Sequence, residues 1–127
     1  MVIAPQESEA LAVLQRAAAA KGVRARCVQE NDLQGAKAVQ PGLLGAYQRE
    51  NAATAMCAAQ VAWTRCRIEK EKMKTVIARG IHRAVWPGRM EILSTEPFLM
   101  VDGAHNSNGI HCVQVSKNCI RRKSFIL

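Results

Sequence analysis

The spacing of apolar and polar residues changes several times along this chain, and the changes mark out its elements. The opening MVIAPQ is a short apolar run of strand character that Pro5 ends. From Glu7 to Lys21 the spacing turns helical. Leu11, Leu14 and Ala18 share a face, Glu7 and Glu9 occupy the first turn, and Gly22 follows the end. Val23 to Val28, VRARCV, alternates apolar with charged residues, as a strand with one buried face does. Strand, helix, strand is the βαβ unit of an α/β sheet. One such unit does not make a sheet, so partner strands are expected to precede residue 1.

The stretch QENDLQGAKAVQPG is polar and broken by glycine and proline, and it reads as loop with room for one short strand. Gln48 to Arg65 forms a second helix in which Ala52, Ala55, Ala59 and Ala62 lie along one side, a stripe that lets a neighbour approach closely. Lys70 to Ala84 forms a third, with Met73, Val76, Ile77, Ile81 and Ala84 at helical spacing. Its charges, Glu69 through Arg83, suit a solvated face with i,i+4 pairing. Trp86-Pro87-Gly88 then stops it, because proline continues a helix only at a cost. MEIL and PFLMV read as two short strands. Beyond Asp102 the pattern decays, and IHCVQVSKNCIRRKSFIL follows neither period cleanly. There is no internal repeat, and no low-complexity segment beyond Ala17 to Ala20.

Composition narrows the class. At 127 residues the chain is one domain's worth or a piece of a larger one. Its apolar content of 49% is enough for a core. Only 4% of residues are aromatic, which favours closely packed helices on a sheet over an aromatic-cored β domain. The net charge of +8 raises the question of nucleic acid. The basic residues are spread from Arg16 to Lys123 with no recognised binding motif, so no nucleic-acid partner is expected. This charge suffices to attract a phosphorylated small molecule. The five cysteines, Cys27, Cys57, Cys66, Cys112 and Cys119, are odd in number and form no CxxC pair, which argues against a zinc site or a disulfide framework. Free thiols suit a reducing cytosol. No apolar stretch reaches membrane length and no leader pattern opens the chain, so a soluble, cytoplasmic protein without a membrane partner is expected.

Candidate chemistry concentrates in WPGRMEILSTEPFLMVDGAHNSNG, residues 86–109. Arg89 follows a stiff Pro-Gly corner, and a guanidinium held in this way binds phosphate bidentately or pairs with a nearby acid such as Glu91. Asp102 follows an apolar strand, where α/β proteins display ligand-binding residues. Its carboxylate could accept from two ribose hydroxyls, or simply form an Asp-Gly turn. His105 and Asn106 are candidates for contact with phosphate or an intermediate, while Asn106, Asn108 and Gly109 also suit a turn. Asn51, at the start of the alanine helix, carries an amide able to read an adenine edge or to cap the helix.

Taken in order, LLGAYQRENAATAMCAA (Leu43 to Ala59), GIHRAVWPGRMEIL (Gly80 to Leu93) and DGAHNSNG (Asp102 to Gly109) resemble folylpolyglutamate synthase and its dihydrofolate synthase relatives, within the Mur ligase superfamily. APQESEALAVL near the start resembles the family's late central-domain segment, so the resemblance covers roughly residues 3–109. It implies that Asn51 contacts adenine, Arg89 reaches the ATP phosphates and Asp102 holds the nucleotide, with His105 the motif histidine of the active site. The implied reaction uses ATP and magnesium to phosphorylate a folate carboxylate. The amine of L-glutamate then attacks the acyl phosphate and an amide results.

The implied fold is α/β: part of a Mur-ligase-type central domain, βαβ plus two helices, followed by the first strand or strands of a Rossmann-like C-terminal domain. Residues 1–85 would be the end of the central ATPase domain, 86–97 the hinge and connecting strand, and 98–127 the start of the C-terminal ligase domain with an atypical tail. The nucleotide would lie between the two domains of a monomeric parent whose partners are ATP, folate and L-glutamate.

The chain departs from the family in several places. It contains no Gly-x-x-x-x-Gly-Lys-Ser/Thr and no glycine-lysine-serine loop, and AAAAKGVRA offers only a Lys-Gly. The magnesium ligands, the modified lysine and the folate site would belong to sequence outside these residues. Tyr47 stands where the family commonly has histidine. The tail lacks the family's alanine- and leucine-rich helix. A truncated or frameshifted reading frame, inactive by itself, accounts for these departures. A fragment of a Mur-type peptidoglycan amino acid ligase and a non-enzymatic basic interaction module are the alternatives. The first expects a different residue before Ala-His, and the second expects salt-sensitive nucleic-acid binding.

Overall fold

The computed structural model describes residues 1–66 and 69–123. Among these residues the protein is mixed α/β, with five helices and two separate two-stranded sheets. The first unit is β1 (Val2–Ile3), α1 (Ser8–Ala20) and β2 (Arg26–Cys27), with β1 and β2 parallel and Val2 opposite Arg26. The βαβ unit is therefore present, but its second strand is much shorter than the alternation of 23–28 suggests. The end of α1 explains the shortening. Gly22 adopts φ +62°, Val23 N–H donates to Ala18 C=O and Gly22 N–H to Ala19 C=O, both at 2.9 Å. This is a Schellman closure, and it occupies the residues that would have begun the strand.

The segment read as loop is helical. It forms α2 (Glu30–Val39), and the reason lies in local hydrogen bonding and burial. The Asp32 carboxylate reaches back to accept Gln29 N–H at 2.9 Å, satisfying a donor at the helix start. Leu33 and Ala36 then face a core formed by Val28, Ala36, Ala52, Ala53 and Cys57. That acceptor role holds the Asp32 carboxyl below its usual range, chiefly through the Gln29 N–H. The Arg26 guanidinium bridges Asp32 and Gln60, at 2.9 Å each, and so ties β2 to its neighbouring helices. Gly35 concealed α2 in the sequence, since glycine weakens a helix interior. A methyl added at Gly35 would meet only Met56 Cε at 4.0 Å. Gly35→Ala is therefore expected to stabilise the fold by about 0.5–1 kcal/mol, read as an upward shift of the urea midpoint.

α3 (Gln48–Trp63) and α4 (Lys70–His82) fall where helical spacing put them, each ending two residues early. The expected alanine stripe is corrected. Gln48, Ala52, Ala53 and Cys57 are buried, whereas Ala55 and Ala62 are exposed. In so alanine-rich a helix, alanine spacing does not identify the inner face, and the larger Cys57 marks it better. On α4, Ile77 is buried but Val76 is exposed. This helix ends before Pro87 is reached, with Arg83 N–H donating to Arg79 C=O at 3.0 Å.

β3 (Glu91–Thr95) and β4 (Phe98–Val101) form an antiparallel hairpin, with Glu91 opposite Val101 and a bulge between Ile92 and Ser94. The chain after Asp102, where periodicity failed, is also helical as far as it is described. α5 spans Ser107–Lys123. Asn106 caps it, its Oδ1 accepting Gly109 N–H at 2.7 Å. Ser116 of α5 is buried, and its Oγ accepts Ala46 N–H at 3.4 Å. Residues 124–127 of the tail lie outside the described residues. Among those described, no helix is long and apolar enough to cross a membrane.

Candidate functional site

Three segments distant in sequence meet between α3, α4 and the hairpin. The first is the corner Trp86-Pro87-Gly88-Arg89. Proline and glycine occupy its central positions, Gly88 has φ +72°, and Arg89 N–H donates to Trp86 C=O at 3.2 Å, the pattern of a type II turn. Gly88 N–H donates to Glu91 Oε2 at 2.7 Å. Glu91 thus holds the corner from within, and no ion pair among the described residues engages Arg89. The exposed guanidinium stands beside a groove of about 170 Å³ lined in part by Leu44, Val85, Trp86 and Ile92.

The second segment is the loop after β4. Gly103 N–H donates to Gly88 C=O at 2.7 Å, joining loop to corner. The Asp102 carboxylate continues the join: Oδ1 accepts Ala104 N–H at 2.8 Å and Oδ2 accepts Met90 N–H at 2.9 Å. Met90 is buried and left-handed, with φ +46°, a conformation that non-glycine residues seldom adopt.

The third is the approach to α3. Gly45 has φ +112°, and a Cβ there would come within 2.7 Å of the Tyr47 ring and 3.0 Å of Met90 Sδ. Only glycine leaves room there for the Tyr47 ring, whose hydroxyl lies 3.4 Å from Asp102 Oδ2. Burial pushes the Tyr47 phenol above its usual range, and the Asp102 charge adds to this. The Arg89 guanidinium works against both. Tyr47 therefore feels both charged residues, and its hydroxyl faces Asp102.

The sequence candidates divide accordingly. Arg89 and Asp102 are brought together around Tyr47. Asn51 lies one helical turn beyond Tyr47, its N–H donating to Tyr47 C=O at 3.3 Å. Its side chain does not cap α3; Nδ2 donates to Gln48 Oε1 at 3.0 Å. His105 is exposed, with Nδ1 3.2 Å from Gly103 C=O in its own loop. Asn106 serves as the cap of α5. In the sequence Tyr47 stands out only as a departure from the family pattern, and no motif marks Gly45 or Met90. The nearest signal was a glycine two residues before the single tyrosine of the chain.

Chemically, the cluster offers a guanidinium suited to phosphate and a carboxylate with acceptor capacity left for hydroxyls, with the Asn51 amide one helical turn beyond Tyr47. Among the described residues, no group of three or more His, Cys, Asp or Glu side chains could hold a metal ion.

No protein-family model matches the chain, and no solved structure does. Curated relatives match part of it. Over 74 residues, 58% of this chain, it is 45% identical to a probable bifunctional folylpolyglutamate synthase/dihydropteroate synthase of Haloferax volcanii. Over 76 residues, 57% of the chain, it is 34% identical to a dihydrofolate synthase/folylpolyglutamate synthase of Bacillus subtilis. A folylpolyglutamate synthase of Lacticaseibacillus casei is 36% identical over 69 residues, 54% of the chain. The matched stretches are 8%, 16% and 16% of those proteins' own lengths. Over the matched stretch these similarities support a fragment of the folylpolyglutamate synthase/dihydrofolate synthase family.

Proposed function

We propose that this chain is a segment of an ATP-dependent folate–glutamate ligase, with Asn51, Arg89 and Asp102 its share of the nucleotide site. The observation that carries the reading is the meeting of Arg89 and Asp102 around Tyr47, one helical turn from Asn51. The partial relatives are named for folate, which favours a folate substrate over a peptidoglycan precursor. On this reading residues 1–85 close the central ATPase domain, 86–97 form the hinge and 98–127 begin the C-terminal domain of a cytoplasmic, monomeric parent.

ATP, with magnesium, supplies the phosphoryl group that activates a folate carboxylate before the amine of L-glutamate displaces phosphate. Within that scheme Arg89 clamps phosphate oxygens from a corner held by Glu91 and Gly103, so little reorganises when charge develops. Asp102 accepts ribose hydroxyls, Asn51 turns its amide from Gln48 to the adenine edge, and His105 stands at the open rim of the loop. No residue described here is assigned to magnesium. The chain contains no phosphate-cradling glycine-lysine loop, so by itself it is expected to bind nucleotide weakly and to form no amide.

Calorimetric titration of the 127-residue chain with ATP tests this reading. Arg89→Ala should weaken binding by about tenfold, in line with loss of a charge-assisted hydrogen bond. Binding of nucleic acid that falls with salt and ignores Arg89 would instead identify a basic interaction module.

A further inference from the structure

We propose that Tyr47 is a specificity-determining residue of this site: its hydroxyl holds the acceptor position on Asp102 that the second hydroxyl of a ribose cis-diol would take. The inference rests on the nucleotide reading above and names what that site selects.

A carboxylate has about four acceptor positions, two on each oxygen. On Asp102, one position of Oδ1 is filled by Ala104 N–H at 2.8 Å and one of Oδ2 by Met90 N–H at 2.9 Å. Both are short backbone bonds that tie the loop to itself and to the corner, so neither is free to exchange. One position remains on each oxygen. That on Oδ1 is unclaimed among the described residues, while that on Oδ2 faces the Tyr47 hydroxyl at 3.4 Å. The ring occupies space that a side chain at residue 45 would fill, since a Cβ there would come within 2.7 Å of it.

A cis-diol offers one hydroxyl to each carboxylate oxygen, whereas 2′-deoxyribose keeps only one of the pair. A ligand with one hydroxyl takes the open Oδ1 position and leaves Tyr47 in place. A cis-diol makes its second bond only by displacing Tyr47, and that exchange offsets part of the gain. This chain should therefore discriminate poorly between ribose and deoxyribose. Removing the tyrosine hydroxyl while keeping the ring should restore a preference for the diol.

The test is calorimetric titration of the full chain and of Tyr47→Phe with ATP and with 2′-deoxyATP. The full chain is expected to bind the two within about threefold. Tyr47→Phe should bind ATP about threefold more tightly and 2′-deoxyATP unchanged, because a 3.4 Å contact is worth less than a full hydrogen bond to a charged group. Unchanged ATP affinity in Tyr47→Phe, or an equal gain for both nucleotides, would overturn the proposal while leaving the nucleotide reading intact. Absence of binding in every titration removes the nucleotide reading and this proposal with it.

A second measurement needs no nucleotide. Tyr47 is the sole tyrosine, so ultraviolet difference absorbance during alkaline titration reports its phenol alone. Asp102→Asn should lower the pH at which it ionises, and Arg89→Ala, at an exposed position, should raise it. If neither variant moves the titration, the Tyr47–Asp102 contact is absent and the proposal fails whatever the nucleotides do.

Discussion

Asp102→Ala is expected to destabilise the chain by about 2–3 kcal/mol and to abolish its ATP binding at concentrations that saturate the unaltered protein. The first effect follows from what the carboxylate holds together. It accepts Met90 N–H and Ala104 N–H at 2.9 and 2.8 Å, and those bonds join the loop after β4 to the corner that carries Arg89. Met90 is 1% exposed, so its N–H has no access to water once the acceptor is gone, and an orphaned buried donor costs about 1–3 kcal/mol. The left-handed backbone of Met90 also loses the bond that holds it in that conformation. Asp102→Asn retains one acceptor oxygen and should fall between. Urea denaturation followed by circular dichroism measures the first effect, and a midpoint equal to that of the unaltered chain would sink it. The second effect is separable. Retained ATP affinity in a folded Asp102→Ala would make the residue a brace for the loop and nothing more.

How much of this could be read from the sequence depended on whether the cause was local. α1, α3 and α4 announce themselves because each repeats apolar residues at helical spacing, and their observed ends differ from the expected ones by one or two residues. The βαβ unit was legible for the same reason. α2 was hidden by Gly35 and by its polar composition. What makes it a helix is a cap formed by Asp32 and the burial of Ala36 against Ala53 and Cys57, and that burial depends on tertiary packing. α5 was hidden because its apolar residues follow no clean helical spacing and its cap, Asn106, also suits a turn.

The candidate site divides along the same line. Arg89 and Asp102 stood out because a Pro-Gly corner and a strand end are local signals of exposed, fixed side chains. Their convergence was not legible. It involves φ +112° at Gly45 and φ +46° at Met90, with the Tyr47 hydroxyl 3.4 Å from Asp102 Oδ2. Asn106, open in the sequence between phosphate contact and a turn, caps a helix that the sequence did not reveal.

Gly42→Ala should have the largest effect on the fold, a loss of about 3 kcal/mol or more from overpacking against rigid atoms. A Cβ at this position would overlap the His82 carbonyl oxygen and approach the Ala84 carbonyl oxygen at 2.9 Å and His82 C at 3.1 Å. All three are backbone atoms at the end of α4, so no side chain can swing aside. The approach is close because Gly42 N–H donates to Ile81 C=O at 3.2 Å, and His82 Nδ1 lies 3.1 Å from Gln40 C=O. This segment leads directly to Gly45 and Tyr47. Displacing it should therefore also draw the tyrosine hydroxyl from Asp102 and return its alkaline titration toward that of a free phenol. The loss cannot be ascribed to replacing glycine as such, because Gly35→Ala should shift stability in the opposite direction. A Gly42→Ala chain within about 0.5 kcal/mol of the unaltered one, the range of an inconsequential surface change, would mean that 40–42 does not rest on the end of α4. The support beneath the Tyr47 corner would then have to be sought elsewhere.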